Sequence, residues 1–188
     1  GHVSSRTIEL ARRLVSRLLA MCPRREFLIK HRKAVGRDAR RTLSDPDRVV
    51  TRLDSFIEAY GARSTLFELW NSNPSIFDLL ILLFDRSEFL AELAIRTPDM
   101  VDELVMSGRL RQRKHSQETL RDLRHGIDDA DHKLWLRRYH QTELMRIGLR
   151  DILGLADPKQ YLTELYALAD ACLQYAIDHH YPRLRVVS

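Results

Sequence analysis

Leu136-Arg-Arg-Tyr-His-Gln-Thr-Glu-Leu-Met-Arg-Ile-Gly-Leu-Arg-Asp-Ile-Leu-Gly154 decides how the chain is read. At about 100° per residue, Trp135, Leu149 and Leu153 lie on one side of a helix, Leu136, Leu144 and Ile147 on a second, and Leu134, Met145 and Ile152 on a third. A helix that is apolar nearly all round belongs in the middle of a bundle. Yet Glu143, Arg146 and Arg150 fall within roughly 60° of one another and form a charged stripe that begins at Tyr139. Two arginines at i,i+4 repel unless an acid answers them, and Glu143 alone leaves one arginine too many. The stripe is therefore either a solvated strip or a contact with an acidic surface, and Glu143, Arg146, Arg150 and Asp151 are the candidate contact residues.

Working outward, the rest of the chain is also helical in pattern. Its 188 residues are 44% hydrophobic, enough for a sizeable core, and 7 Gly and 6 Pro are few breakers for that length. Leu, Arg, Ala and Glu are abundant while runs of Val and Thr are scarce, which favours helices. The expected fold is all-α, a bundle of about ten helices with two long helices at the C-terminal end and no significant sheet.

Start and stop signals mark these helices. Ser4 or Ser5 caps a first helix with the stripe Ile8, Ala11, Val15, Leu18, Leu19 and Cys22, opposite a face of arginines. A weaker second helix runs to about Leu43. Asp45-Pro46 opens the next, closed by Gly61. Ser64 starts a short helix through Trp70, Asn73-Pro74 a helix carrying Ile76–Phe84, Ser87 one with Phe89, Leu90 and Leu93, and Thr97-Pro98 one ending near Val105. After Gly108, RLRQRKHSQ reads as an exposed loop leading to a helix of Glu118–Arg124, stopped by Gly126. Asp128 or Asp129 caps the long helix, and Asp157-Pro158 opens a last one. Its stripe is Tyr161, Leu165, Leu168, Cys172 and Ala176, opposite Thr163, Asp170, Gln174 and Asp178, and Pro182 ends it. The resulting division is 1–47, basic helices; 48–108, short helices; 109–117, loop; and 118–188, long helices.

Charge is uneven along the chain. Residues 1–48 hold 13 Lys+Arg against 5 Asp+Glu, and the remainder 18 against 21. Arg12, Arg13, Arg17, Arg24, Arg25, Lys30, Arg32, Lys33, Arg37, Arg40 and Arg41 could follow phosphates. With Phe27 the only aromatic residue among them and no recognition-helix pattern, an exposed face or inter-domain contact is the better reading. A free-standing helical interaction or nucleic-acid-binding module is the alternative. Cys22 and Cys172 form no CxxC pair, which fits a reducing cytoplasm and suggests neither a disulfide framework nor a zinc site. The apolar run Ile76–Phe84 is too short for a bilayer and contains Asp78. His125, His132, His140, His179 and His180 lack the spacing of a metal set, and Cys22 on an apolar stripe is a core residue. The start at Gly1-His2 and the stop after Arg185-Val-Val-Ser188 suggest a piece of a longer protein.

Three blocks carry a family resemblance. Leu136–Asp157 followed by Tyr161–Ile177 (YLTELYALADACLQYAI), Ser87–Val105 (SEFLAELAIRTPDMVDELV) and Arg52–Pro74 (RLDSFIEAYGARSTLFELWNSNP) resemble the helical region between the two catalytic halves of bifunctional glutamate-ammonia ligase adenylyltransferase/adenylyl-removing enzymes. The resemblance covers about residues 48–180. It implies a parent enzyme that moves AMP on and off a tyrosine of glutamine synthetase, uses ATP and Mg²⁺, and answers to glutamine and the PII signal protein. It further implies neighbouring nucleotidyltransferase domains as partners, and a cytoplasmic location. In that family a Gly-rich turn and a strand-borne D-x-D hold Mg²⁺ on the phosphates. Ser44-Asp45-Pro46-Asp47 and Asp129-Ala130-Asp131 imitate D-x-D, but each opens a helix, so the expectation is no catalytic, cofactor or metal residue here. The catalytic core is expected after the point where this chain stops. Glu143, Arg146, Arg150 and Asp151 are then expected to face a neighbouring domain.

Overall fold

A computed structural model describes residues 4–23, 42–126 and 131–180. The chain is all-α, with nine α-helices and one 3₁₀ turn among these residues and no strand. The helices are α1 (Ser5–Met21), α2 (Pro46–Tyr60), α3 (Arg63–Ser72), α4 (Pro74–Arg86), α5 (Glu88–Arg96), α6 (Asp99–Met106), α7 (Ser116–Arg124), α8 (His132–Ile152) and α9 (Pro158–His180); the 3₁₀ turn is Arg109–Arg111. The chain divides into two compact units, residues 1–103 and 104–188, with the division falling inside α6.

Unit 1 is built around α4. Asn73-Pro74 begins it, and Ile76, Phe77 and Leu79–Phe84 are all buried, so its apolar run is a core helix as expected. The helix α2 packs on α3, α4 and α5, while α1 lies on α3 and α4. An aromatic cluster fills the centre: Phe56 lies 6.1 Å from Trp70 and 5.8 Å from Phe84, and Trp70 lies 5.2 Å from Phe77, between ring centroids. Such tilted and offset rings add to the area they bury.

The start of α2 shows why a D-x-D spacing need not bind metal. The Asp45 carboxylate caps the helix by accepting from the Arg48 amide at 3.0 Å, and Pro46 occupies the first turn. Asp85, at the end of α4, accepts from the Ser44 amide, the Ser44 hydroxyl and the Asp45 amide at 2.9, 2.8 and 3.0 Å. Burial alone would raise the Asp85 carboxyl, but these bonds and the Arg86 charge hold it below its ordinary range. Arg52 and Arg48 donate to the Phe84 and Asp85 carbonyls at 2.6 and 2.9 Å, satisfying acceptors that the end of α4 leaves open. Gly61 closes α2 at φ 78°, a conformation in which a Cβ is costly.

One expected stripe is rotated and another is widened. On α1 the buried residues are Leu14 and Leu18, while Ile8, Val15 and Leu19 are exposed. Polar pairing turns the helix: Arg17 grips Asp78 of α4 with a bidentate pair, Arg6 reaches Glu68, and Asn71 donates to the Leu10 carbonyl. On α9 the expected stripe does face the core, with Leu168 buried and Tyr161, Leu165 and Cys172 packed against the apolar cluster, but the buried face extends past it to Glu164, Ala167, Ala171, Tyr175 and Asp178, the last of these expected on the opposite side. Cys172 and Ala176 are half-buried at its edge.

Unit 2 packs α9 against α7 and α8. Leu123, Tyr139, Ile147, Leu168, Ala171 and Tyr175 form its apolar cluster, flanked by Trp135, Leu144 and Leu165. The long helix is capped by Asp131, whose carboxylate accepts from the Leu134 amide at 2.9 Å; Asp128 and Asp129 lie outside the described residues. Gly126 lies against Trp135, and a Cβ there would come within 2.2 Å of the indole. The Trp135 Nε1 proton is donated to the Leu123 carbonyl at 2.9 Å. The weaker helix expected before Leu43 falls mostly in 24–41, outside the described residues, as does Pro182.

Candidate functional site: a buried charge cluster

Near the centre of α8 the apolar character closes over charge. From Met145 to Arg150 every residue is buried, and Glu143, Arg146 and Arg150 are 1%, 1% and 4% exposed. The stripe expected to be solvated or to face another domain is thus internal to unit 2. Asp151, the fourth residue expected on that surface, is exposed and takes no part in the cluster. The four do not form one surface.

The second acid is Glu164 of α9, 2% exposed. Its Oε2 accepts from Arg146 Nη1 at 3.2 Å and pairs with Arg150 Nε at 3.4 Å. Glu143 Oε2 accepts from Arg146 Nε at 2.7 Å, and its Oε1 accepts from Arg109 and Lys114 at 2.9 and 3.0 Å. Lys114 also donates to Asp122 at 2.7 Å and sits 5.6 Å from the Tyr139 ring centroid. Two guanidinium donors also reach backbone: Arg146 Nη1 the Gln112 carbonyl and Arg150 Nη1 the Leu110 carbonyl, both at 2.7 Å. The segment after Gly108 is largely exposed, as expected, at Arg111–Arg113 and His115, but it begins with a 3₁₀ turn, and its Leu110 and Gln112 carbonyls are bound by two buried guanidinium groups. The fork of an arginine suits this task, since it can serve a carboxylate and a carbonyl together.

Electrostatics follow the geometry. Burial raises the Glu143 carboxyl, yet the Arg146 and Lys114 charges and their hydrogen bonds outweigh it and hold the group below its ordinary value. Tyr139 is driven far up by burial and by the nearby Glu143 and Asp122 carboxylates. Burial, with Glu143, raises the Cys172 thiol to about 11, which makes it a poor nucleophile at neutral pH. Cys22 is half-buried and also raised, first by burial.

His132 Nδ1 lies 3.1 Å from the Tyr175 hydroxyl and its ring lies tilted against that of His179, 3.7 Å between centroids, while burial lowers His140. Among the described residues no group of three or more His, Cys, Asp or Glu could hold a metal ion, and no helix is long and apolar enough to cross a membrane. Asp45 and Asp131 serve as helix caps, so the carboxylates that imitate D-x-D do not fit a nucleotide-bound Mg²⁺. Of the basic N-terminal residues, Arg13 and Arg17 pair with Glu9 and Asp78; Arg24–Arg41 lie outside the described residues.

Glu164 and the pair Arg109 and Lys114 were absent from the sequence candidates. The signal that could have found Glu164 is the surplus arginine on α8, which demanded an acid from another helix.

The fold and this cluster define a class: an all-helical bundle with a second unit organised around buried, mutually neutralising charges. The family model of glutamate-ammonia ligase adenylyltransferase matches residues 77–186, and the chain belongs to that family. It is 29% identical over 139 residues to the bifunctional glutamine synthetase adenylyltransferase/adenylyl-removing enzyme of Pseudomonas aeruginosa, covering 71% of this chain and 14% of that protein. The like-named enzyme of Ralstonia nicotianae is 28% identical over 86% of this chain and 17% of its own length. That of Nitrosococcus oceani is 32% identical over 52% and 10%. The chain thus spans about one seventh of the length of the relatives it matches. No solved structure matches it. The family membership does not favour a free-standing nucleic-acid-binding module.

Proposed function

We propose that this chain is the helical, non-catalytic segment between the two nucleotidyltransferase halves of a cytoplasmic glutamine synthetase adenylyltransferase/adenylyl-removing enzyme. The observation that carries the reading is the family match over 77–186, a stretch helical wherever it is described apart from short turns, whose D-x-D carboxylate Asp131 caps a helix. ATP and Mg²⁺ would be held by the neighbouring nucleotidyltransferase domains, with glutamine synthetase as substrate and the PII protein and glutamine as regulators of the whole. The segment's task is mechanical: to keep the halves in a set relative orientation and to pass effector signals through shifts in packing. Charges buried at the α8–α9 crossing suit that task, because a close-packed core crossed by ion pairs has discrete arrangements rather than a continuum. Asp151 is the one residue of the expected inter-domain set that points outward, and its part in such a contact belongs to this proposal.

The test is to incubate the purified chain with glutamine synthetase, ATP and Mg²⁺, and separately to add it to a full-length enzyme lacking this segment. No AMP transfer by the chain alone, with loss of glutamine control in the deleted enzyme, is expected. Turnover by the chain alone would sink the reading.

A further inference from the structure

The inner face of α9 is fixed by ion pairs at both ends, Glu164 with Arg146 and Arg150, and Asp178 with Arg124 at 2.7 Å. The helix therefore cannot roll to hide its other apolar residues. Leu162, Tyr166, Leu173 and Ile177 are 52%, 75%, 66% and 44% exposed. With exposed Ala169 they follow spacings of four, three, four and four residues, and so lie within about 80° on one face along about 23 Å of helix. Exposed apolar residues scattered singly are ordinary, but a continuous seam marks a contact surface.

What covers it can be argued from area and charge. A strip about 23 Å long and about 10 Å wide falls well short of the roughly 800 Å² per partner of a stable complex between separate molecules. A second copy, in the antiparallel register that sets Leu162 against Ile177 and Tyr166 against Leu173, would bring two Asp170 carboxylates together at the crossing. A tethered partner needs less area, because linkage supplies an effective concentration in the millimolar range, and interfaces between domains of one chain begin at about 600 Å² in total, or about 300 Å² per side. The relatives' chains are about seven times as long as the matched segment. We infer that the Leu162–Tyr166–Leu173–Ile177 face of α9 docks onto an apolar surface of a nucleotidyltransferase domain in the same polypeptide. This rests on the inter-domain reading above, and it moves the contact from the charged stripe of α8 to the outer face of α9.

Hydroxyl-radical footprinting of Tyr166 tests it, in the isolated chain and in the full-length polypeptide carrying this segment, each normalised to an added reference peptide. Modification at least about threefold slower in the full-length protein is expected for a residue that passes from three-quarters exposed to buried in an interface. Equal rates would overturn the inference. So would slow, concentration-dependent modification in the isolated chain, which would mean a second copy. Tyr166→Glu with Leu173→Glu should leave the isolated chain's melting temperature within about 2 °C, as for exposed sites, yet raise hydrogen exchange along α9 in the full-length protein. Unchanged exchange there would also overturn it. The inter-domain reading fails separately, by turnover of the isolated chain.

Discussion

Unit 1 closes over Phe56, Trp70, Phe77 and Phe84, whereas unit 2 sets beside its apolar cluster the buried charges Glu143, Arg146, Arg150 and Glu164. Aromatic packing tolerates many arrangements and gains from each buried square ångström. A buried charge is favourable only when every partner is in place, because its desolvation must be offset by near-ideal pairing. The difference teaches that the apolar unit is held by quantity of contact, whereas the charged unit depends on particular ion pairs, each of which leaves a buried charge unanswered when its partner is lost.

The largest expected effect is on Glu164. Glu164→Ala would leave Arg150 without an acid and Arg146 with one, a loss of about 3–5 kcal/mol from breaking a buried pair. That equals the about 3–5 kcal/mol expected for Phe56→Ala in unit 1. Denaturant dependence of hydrogen exchange in α8 and α2 measures the two separately. Replacing Glu143, Arg146, Arg150 and Glu164 together by well-packed apolar residues should recover most of the loss in unit 2. Failure to recover would show that the charges do more than fill the core.

Next in size is Gly126→Ala, whose Cβ would drive the Trp135 indole off the Leu123 carbonyl. A cost of about 2 kcal/mol is expected for such overpacking, with a changed Trp135 fluorescence maximum. An unchanged melting temperature would mean that α7 gives way cheaply.

The units should also part on acidification. In unit 1 Asp102 is raised to about 6 by burial and by Asp99. The fold then binds its proton more tightly than the unfolded chain, so its penalty is fully present above about 6, shrinks as pH falls below that, and is gone below the ordinary value of 3.8. Asp102→Asn should stabilise unit 1 at pH 7 by on the order of 1 kcal/mol, after discounting for its partial exposure, and by nothing at pH 3. In unit 2 the depressed Glu143 contributes stability that is present above its ordinary value of 4.5 and lost as pH falls through its lower folded value. Asp85 adds an acid-labile contribution to unit 1. Exchange rates in α4 and α8 between pH 7 and 4.5 should therefore show unit 1 gaining before either unit loses. The smallest effect is Asp151→Ala, expected within about 0.5 kcal/mol in the isolated chain.

Much of this could be read from the chain before its structure. Ser4, Asp45 and Ser87 mark helix starts because a side-chain cap depends on residues only three apart, and Pro46 and Pro74 because a proline suits the first turn. Ile76–Phe84 reads as a core helix because nothing in it competes with burial. The stripe of α1 was misplaced, and the buried face of α9 was read too narrowly, because a hydrophobic pattern cannot see Arg17 reaching Asp78, or Glu164 reaching Arg146; those pairs are 61 and 18 residues apart. The charge cluster was half legible. Glu143, Arg146 and Arg150 were visible as a stripe short of one acid, but the acid and the strap from Arg109 to Lys114 are brought in by tertiary packing.

A double-mutant cycle between Arg146→Met and Glu164→Leu, read by denaturant unfolding of α8, tests most directly whether unit 2 is held by charges that answer each other inside it. A favourable coupling of at least about 2 kcal/mol is expected for a buried pair in one network. A coupling below about 0.5 kcal/mol, as for exposed ion pairs, would contradict the account and return the α8 stripe to the surface.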